Sequence, residues 1–115
     1  MPLLKLETTV VLSEDKQKAL LTALSKTVAE TFGKPEQYVM VALSQATMLM
    51  SGNQGKAAFA DVRSIGGLSG DVNRKLSQNL CKLLNDALGV PENRVYLNFT
   101  DVEGSNWGWN GSTFA

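Results

Sequence analysis

The sequence predicts an α/β (α+β) protein made of two β-α-β repeats, with a four-stranded sheet and two helices on one face. Three observations support this fold class. Two stretches carry apolar residues every four positions, the spacing of an amphipathic helix. Short alternating or apolar segments flank each stretch, as expected of strands. Matching residues of the two halves, such as Ser13 and Ser69 or Gly33 and Gly89, lie 56 positions apart, so one plan occurs twice.

The first predicted strand begins at Pro2. Leu4 and Leu6 alternate with Lys5 and Glu7, which gives the segment one apolar and one polar face. The alternation indicates a strand with one side against a core. It also anchors the start of the chain in that core.

The first predicted helix follows Ser13, a good N-cap residue, and ends at Gly33 because Pro35 cannot continue it. The following segment, 38–43, is a short apolar run, which predicts a strand buried on both faces. The helix's apolar stripe consists of Leu20, Leu24, Val28 and Phe32.

The second half repeats this order. The 56-residue offset places a strand at 58–64, a helix after Ser69 and a strand at 95–99, with Gly89 and Pro91 ending the helix. We therefore predict a single domain, 1–115, with pseudo-repeats at about 2–46 and 57–102. The second helix's stripe consists of Leu76, Leu80, Leu84 and Leu88.

The predicted sheet leaves one face without a cover. Crossovers through a helix make parallel strand pairs, and both helices fall on the same side. The apolar strands at 38–43 and 95–99 still require burial, so we expect other copies of this chain to cover the open face. The tail, 105–115, holds three large aromatic residues and an Asn110-Gly111 turn signal, and we expect it to dock against protein.

Composition excludes several function classes. Eleven basic and eleven acidic residues cancel, which gives no general attraction for nucleic acid or anionic membrane. No apolar run approaches the ~20 residues of a membrane span, and the start does not resemble a signal peptide, so a cytoplasmic location is expected. The single cysteine, Cys81, excludes an intrachain disulfide.

The absence of histidine directs attention to the amino terminus. Without histidine the chain lacks the commonest general base, the usual catalytic triads and most transition-metal sites. A small residue after Met1 permits removal of that methionine, which would leave Pro2 with a free secondary amine. Such an amine, held in an apolar pocket by a core strand, can be a neutral base. If Met1 is retained, the Pro2 nitrogen is an amide and cannot act so.

Several phrases of the sequence, in order and at matching spacing, resemble the macrophage migration inhibitory factor and D-dopachrome tautomerase family of the tautomerase superfamily. The resemblance runs from end to end of the chain. The phrases are Met1-Pro2, Gly33-Lys34-Pro35 with Tyr38, Ser64-Ile65-Gly66, Asp71-Val72-Asn73-Arg74, Arg94-Val95-Tyr96-Leu97-Asn98 and the stretch from Gly108 to Ala115.

This resemblance implies a homotrimeric barrel of three sheets, joined by a short strand near the C-terminus, with active sites between subunits. It implies a keto–enol tautomerase of phenylpyruvate-like α-keto acids that requires neither metal nor cofactor. Pro2 would be the catalytic base. One subunit would also supply Lys34, Ser64 and the Ile65 backbone, the neighbour would supply Tyr96 and Asn98, and Tyr38, Trp109 and Phe114 would line the mouth.

Simpler interpretations stand beside these roles. Lys34 can be a solvated charge at a helix end, Tyr96 a core residue and Asn98 a strand cap. The glycine-rich segment after Ser64 could hold a phosphate, but it lacks the lysine of a P-loop.

The resemblance also leaves alternative functions open. One is a signalling or binding protein with a vestigial pocket, and another is a dehalogenase- or hydratase-like relative that uses the same base. The chain departs from mammalian relatives at several positions. Alanines at 57 and 60 replace a Cys-x-x-Cys pair, which predicts no thiol–disulfide activity. Leu12 and Ala46 replace receptor-binding charges, and Trp107 replaces a smaller residue near the pocket mouth.

Overall fold

The computed structural model describes residues 1–115 and contains the elements that the sequence predicts. The repeat offset is confirmed, because both helices and the strands that precede them begin and end 56 positions apart. The elements are β1 (Pro2–Thr8), α1 (Glu14–Phe32), β2 (Met40–Gln45), β3 (Ala58–Ser64), α2 (Gly70–Leu88), β4 (Val95–Asp101), β5 (Gly108–Trp109) and β6 (Ser112–Thr113).

The four long strands form one mixed sheet in the order β2-β1-β3-β4. β1 pairs with β2 in parallel and β3 pairs with β4 in parallel, as expected of β-α-β units. The two units join where β1 runs antiparallel to β3, with Leu6 opposite Ala60. This register places Pro2 opposite Ser64, so the start of the chain lies beside the end of β3.

Both helices are capped by the residues that the sequence indicates. The hydroxyl of Ser13 accepts the backbone N–H of Lys16 at 3.3 Å, and Ser69 caps α2 in the same way. Gly33 and Gly89 end the helices at φ 65° and 70°, a left-handed conformation that glycine adopts without strain. No helix has the length and apolar character needed to cross a membrane.

The two helices cover one face of the sheet, as predicted. Leucines of both predicted stripes are buried there against the inward residues of β1 and β3. Leu4, Leu24, Leu76, Leu80 and Leu84 are completely buried.

The other face of the sheet is open in the single chain, as the sequence predicts. The strands β2 and β4 were expected to be covered by helices on one face and by other copies of the chain on the other, and on that second face Met40 and Tyr96 are each 66% exposed. The physical reason is that both helices lie on the same side. Charged side chains also lie on the open face, where Arg63 and Asp61 form an ion pair at 3.1 Å.

Two predicted strand boundaries also shift. Residues Glu36–Tyr38 and Glu92–Arg94 form single 3₁₀ turns, so β2 begins at Met40 rather than at residue 38. β4 continues past residue 99 to Asp101. In each repeat a proline precedes the 3₁₀ turn and fixes the direction of the chain into the returning strand.

The tail forms a small hairpin. Asn110 and Gly111 have φ of 51° and 78°, which suits a turn with two left-handed residues between β5 and β6. The N–H of Phe114 lies within hydrogen-bond distance of two carbonyls, that of Gly104 at 3.1 Å and that of Trp107 at 3.2 Å. The tail therefore folds back on its own chain, while Trp109 stays 63% exposed.

Candidate active site

A cleft lies at the start of the chain and brings together three of the predicted mouth residues. Its volume is about 370 Å³, and most of its lining is apolar. That volume falls in the range of small-molecule sites, roughly 300–1,000 Å³. The lining residues are Met1, Gln37, Tyr38, Trp109 and Phe114.

Separate parts of the chain hold these side chains in place. Tyr38 ends the 3₁₀ turn that follows α1, and its N–H donates to the carbonyl of Pro35 at 3.1 Å. Trp109 and Phe114 stack with ring centroids 5.7 Å apart and an angle of 14° between the ring planes. Since the tail hairpin orients both rings, they form one aromatic wall opposite the start of the chain.

The amino terminus has the electrostatic character that a neutral base requires. Burial lowers the pKa of the Met1 amine, and the positive charge of Lys34 lowers this pKa further. Pro2 is fully buried at the start of β1. The structure therefore places Lys34 near the start of the chain, as predicted.

Lys34 lies directly after one glycine and packs against another. Gly33 ends α1 in the left-handed conformation, and the Lys34 N–H donates back to the carbonyl of Ala29 at 3.0 Å. The side chain then passes over Gly67, where a Cβ would lie 3.5 Å from the Lys34 Cε and 3.4 Å from the ring of Phe32. These are ordinary packing distances, and it is the φ of 78° at Gly67 that favours glycine in the turn against which the lysine lies.

That turn, residues 64–67, carries the remaining predicted residues of this subunit. Ser64 is fully buried, and its hydroxyl donates to the carbonyl of Gly66 at 2.6 Å. This hydroxyl is therefore occupied within the turn, and substrate contact by Ser64 stays a prediction. The Ile65 N–H donates no hydrogen bond within the chain.

One residue of this region was absent from the sequence prediction. The Asp101 Oδ1 accepts the N–H of Gly66 at 3.1 Å. Asp101 is the last residue of β4 and lies in register with Ser64, the last residue of β3. The sequence does show an aspartate at the end of the returning strand, 37 positions after Ser64. The pairing of β3 with β4 is needed to see that this aspartate lies beside the turn.

Tyr96 and Asn98 do not reach this cleft in the single chain. Tyr96 pairs with Phe59 of β3, which lies opposite Glu7, and Asn98 pairs with Asp61, which lies opposite Lys5. Glu7 and Lys5 lie about 16 Å and about 10 Å along β1 from Pro2, and β4 is two strands away from β1. Tyr96 instead lines a second cavity of about 440 Å³ near the other end of the sheet, with Met48, Leu49, Met50 and Phe59.

The other chemically reactive candidates are placed away from this chemistry. Cys81 is half-buried in α2, and burial together with nearby Glu92 raises the pKa of its thiol, which disfavours the reactive thiolate. No group of three or more His, Cys, Asp or Glu side chains is arranged to hold a metal ion. Trp107 is not among the residues that line the cleft.

Comparison with known proteins shows the family of this chain. The sequence model of the macrophage migration inhibitory factor (MIF) family matches residues 1–115. A macrophage migration inhibitory factor homologue of Trichuris trichiura is 42% identical over 115 residues, which cover 99% of this chain and all of that protein.

Solved structures give the same result. The macrophage migration inhibitory factor homologue of Prochlorococcus marinus superposes with a TM-score of 0.92 at 39% identity, over 98% of this chain and 99% of that one. A more distant structure, of the protein Pt0534 inactivated by 2-oxo-3-pentynoate, has a TM-score of 0.85 at 26% identity, over 96% of this chain and 95% of that one. The fold, the cleft at the start of the chain and the match over the whole sequence together assign this chain to the macrophage migration inhibitory factor family, within the tautomerase superfamily.

Proposed function

We propose that this protein is a keto–enol tautomerase of phenylpyruvate-like α-keto acids, with the Pro2 nitrogen as general base. The observation that carries this proposal is the apolar cleft around the amino terminus, where burial and Lys34 lower the pKa of the terminal amine. A base with a pKa near the working pH is the most efficient one. Tautomerisation needs only one such base.

The base becomes available when Met1 is removed. The Pro2 amine then ends the chain one residue from the Met1 amine, whose pKa is lowered by burial and by Lys34. We expect the same two causes to favour the neutral form of the Pro2 amine. In the keto-to-enol direction the neutral amine takes a proton from the carbon beside the carbonyl, and this proton is then returned to the carbonyl oxygen. The reverse direction uses the same steps in the opposite order.

The substrate's carboxylate and oxygen atoms find donors beside this amine. Lys34 offers a positive charge, and the Ile65 N–H has no acceptor within the chain. The apolar wall of Tyr38, Trp109 and Phe114 suits an aromatic or alkyl side chain on the substrate. Inactivation of the related protein Pt0534 by 2-oxo-3-pentynoate, a 2-oxo acid, supports this substrate class.

A second subunit completes the site in this proposal. Tyr96 and Asn98 lie on the open face of the sheet, far from the Pro2 of their own chain. In a homotrimer whose sheets form a barrel, each chain covers the open face of another. Tyr96 and Asn98 of one subunit then contribute polar groups to the Pro2 cleft of its neighbour.

The test is the decay of enol-phenylpyruvate, followed by absorbance with protein whose intact mass shows that Met1 has been removed. Pro2→Gly keeps a terminal amine but loses the ring that holds it in position, and we expect it to lower kcat/KM by up to about 10²–10⁴, the usual contribution of a positioned base. A matched control is protein that retains Met1, in which the Pro2 nitrogen is an amide and the terminal amine is displaced by one residue; its kcat/KM should fall at least as far as that of Pro2→Gly while it folds normally. Equal rates for processed wild-type protein and Pro2→Gly would refute the proposal.

The alternative function is a MIF-like signalling or binding protein with a weakly active pocket. The family description favours it, and so does the exposed Trp109, since large exposed aromatic residues are frequent in protein interfaces. The same experiment separates the two functions. The alternative is favoured if the protein binds an α-keto acid but shows no Pro2-dependent turnover of it.

A further inference from the structure

The turn at 64–67 presents a backbone donor next to the base. Pro2 lies opposite Ser64 in the sheet, and Ile65 follows directly. The Ile65 N–H has no acceptor within the chain, although most backbone N–H groups in proteins are paired. A donor in this position is useful only if the turn holds it in one direction.

Two hydrogen bonds within the protein fix that direction. The buried hydroxyl of Ser64 donates to the Gly66 carbonyl at 2.6 Å, and the Gly66 N–H donates to the Asp101 Oδ1 at 3.1 Å. The N–H of Val102 also donates to the Ser64 carbonyl at 2.9 Å, which ties the ends of β3 and β4 together. Asp101 is thus the side chain of β4 that holds the turn of β3.

The turn needs such a restraint because of its glycines. Gly66 and Gly67 adopt φ of 68° and 78°. Glycine reaches many other backbone conformations at little cost, so a turn with two glycines has many alternatives. The hydrogen bond from the Gly66 N–H to the exposed Asp101 side chain joins the turn to β4 and selects one of these alternatives.

We infer that Asp101 is a positioning residue that orients the Ile65 N–H toward the substrate by accepting the N–H of Gly66. This inference rests on the proposed function, because it assigns Asp101 a part in that reaction. Asp101 acts through the turn and does not touch the substrate. Its effect therefore falls on substrate binding and not on the proton transfer carried out by Pro2.

The experiment compares Asp101→Leu, which removes the acceptor, with Asp101→Asn, which keeps an oxygen acceptor but loses the charge. Glu103→Leu is the matched control, because Glu103 is an exposed carboxylate two residues away whose side chain makes no hydrogen bond or ion pair. With processed protein and enol-phenylpyruvate, Asp101→Leu should raise KM about five- to tenfold with kcat within about twofold, as for the loss of one hydrogen bond. Asp101→Asn should restore most of the wild-type KM, and Glu103→Leu should match wild type.

Amide hydrogen exchange at Gly66 gives a second measurement that does not require turnover. Exchange should be slow in wild type and Asp101→Asn and faster in Asp101→Leu. The inference is overturned if Asp101→Leu keeps the wild-type KM, or if Asp101→Asn is impaired as much and shifts the pH profile, since the charge would then be responsible. Failure of the proposed function has a different result, namely wild-type turnover that does not depend on Pro2.

Discussion

Lys34 makes the clearest prediction at the scale of single residues. Its charge lowers the pKa of the Met1 amine, second to burial, and we expect it to act in the same way on the Pro2 amine once Met1 is removed, so that loss of this charge raises the pKa of the base. The base form is then populated only at higher pH. For Lys34→Met we expect the acidic limb of the kcat/KM profile to move to higher pH, and KM for the α-keto acid to rise about tenfold or more, as for a lost charged hydrogen bond.

The control for this prediction is Lys34→Arg, which keeps the positive charge and should leave the acidic limb nearly in place. The measurement is kcat/KM between about pH 4 and pH 9, a range that spans the ordinary pKa of a terminal amine and lower values. An unchanged limb in Lys34→Met would mean that burial alone sets the pKa of the base.

Single residues also show what the sequence does and does not reveal. Lys34, Tyr38, Trp109 and Phe114 could be chosen from motifs, and the structure brings them to the start of the chain. Asp101 could not, because its role comes from the register between two strands that are far apart in sequence. Motifs record residue types at fixed spacing, whereas a side chain that braces a neighbouring turn is visible only after the sheet has been assembled.

At the scale of elements, the helix stripes carry the stability of the subunit. Leu80 lies in the middle of α2 and is completely buried. For Leu80→Ala we expect the free energy of unfolding to fall by about 2–5 kcal/mol, from lost burial and the cavity left behind. Urea unfolding at one fixed protein concentration is the measurement, because an oligomer's stability depends on concentration.

The neighbouring exposed position gives the control. Gln78→Ala, two residues away on the solvent side of α2, should change the free energy of unfolding by no more than about 0.5 kcal/mol. Equal losses in both variants would mean that the stripe does not carry the core.

The elements were also the most predictable level of this structure. Caps, glycine stops and the four-residue apolar period fix both helices, because each signal acts within one turn of the chain. Strand limits were less certain. The 3₁₀ turns at Glu36–Tyr38 and Glu92–Arg94 lie directly before the apolar returning strands. A short apolar run does not reveal the residue at which such a turn ends and the strand begins.

At the scale of the whole molecule, the open face of the sheet is the feature that a single chain cannot explain. Met40 and Tyr96 lie exposed on this face. Burying their apolar area against a second copy of the chain would favour association by roughly 25 cal/mol per Å², before the costs of association are subtracted. We therefore predict a homotrimer of about 37 kDa from subunits of 12.4 kDa. Light scattering coupled to gel filtration measures this mass, and a value near 12 kDa at micromolar concentration would contradict it.

The shared site gives a further prediction about the assembly. Asn98 lies on the open face of the sheet, level with Lys5 and two strands away from Pro2, so we expect two different subunits to supply Pro2 and Asn98 if both act in one site. Pro2→Gly and Asn98→Ala should each be nearly inactive alone. When the two variants are unfolded together and refolded at equal amounts, some sites will combine an intact Pro2 with an intact Asn98 from the neighbour.

Random assembly fixes how much activity returns. Each site takes its Pro2 from one chain and its Asn98 from the next, and each choice is correct half of the time. About a quarter of the sites should therefore be intact, with close to a quarter of the wild-type rate. Each variant refolded alone is the control. If the mixture stays as inactive as its components although mixed trimers are found by mass, both residues do not act in one shared site, because complementation requires that different chains supply them.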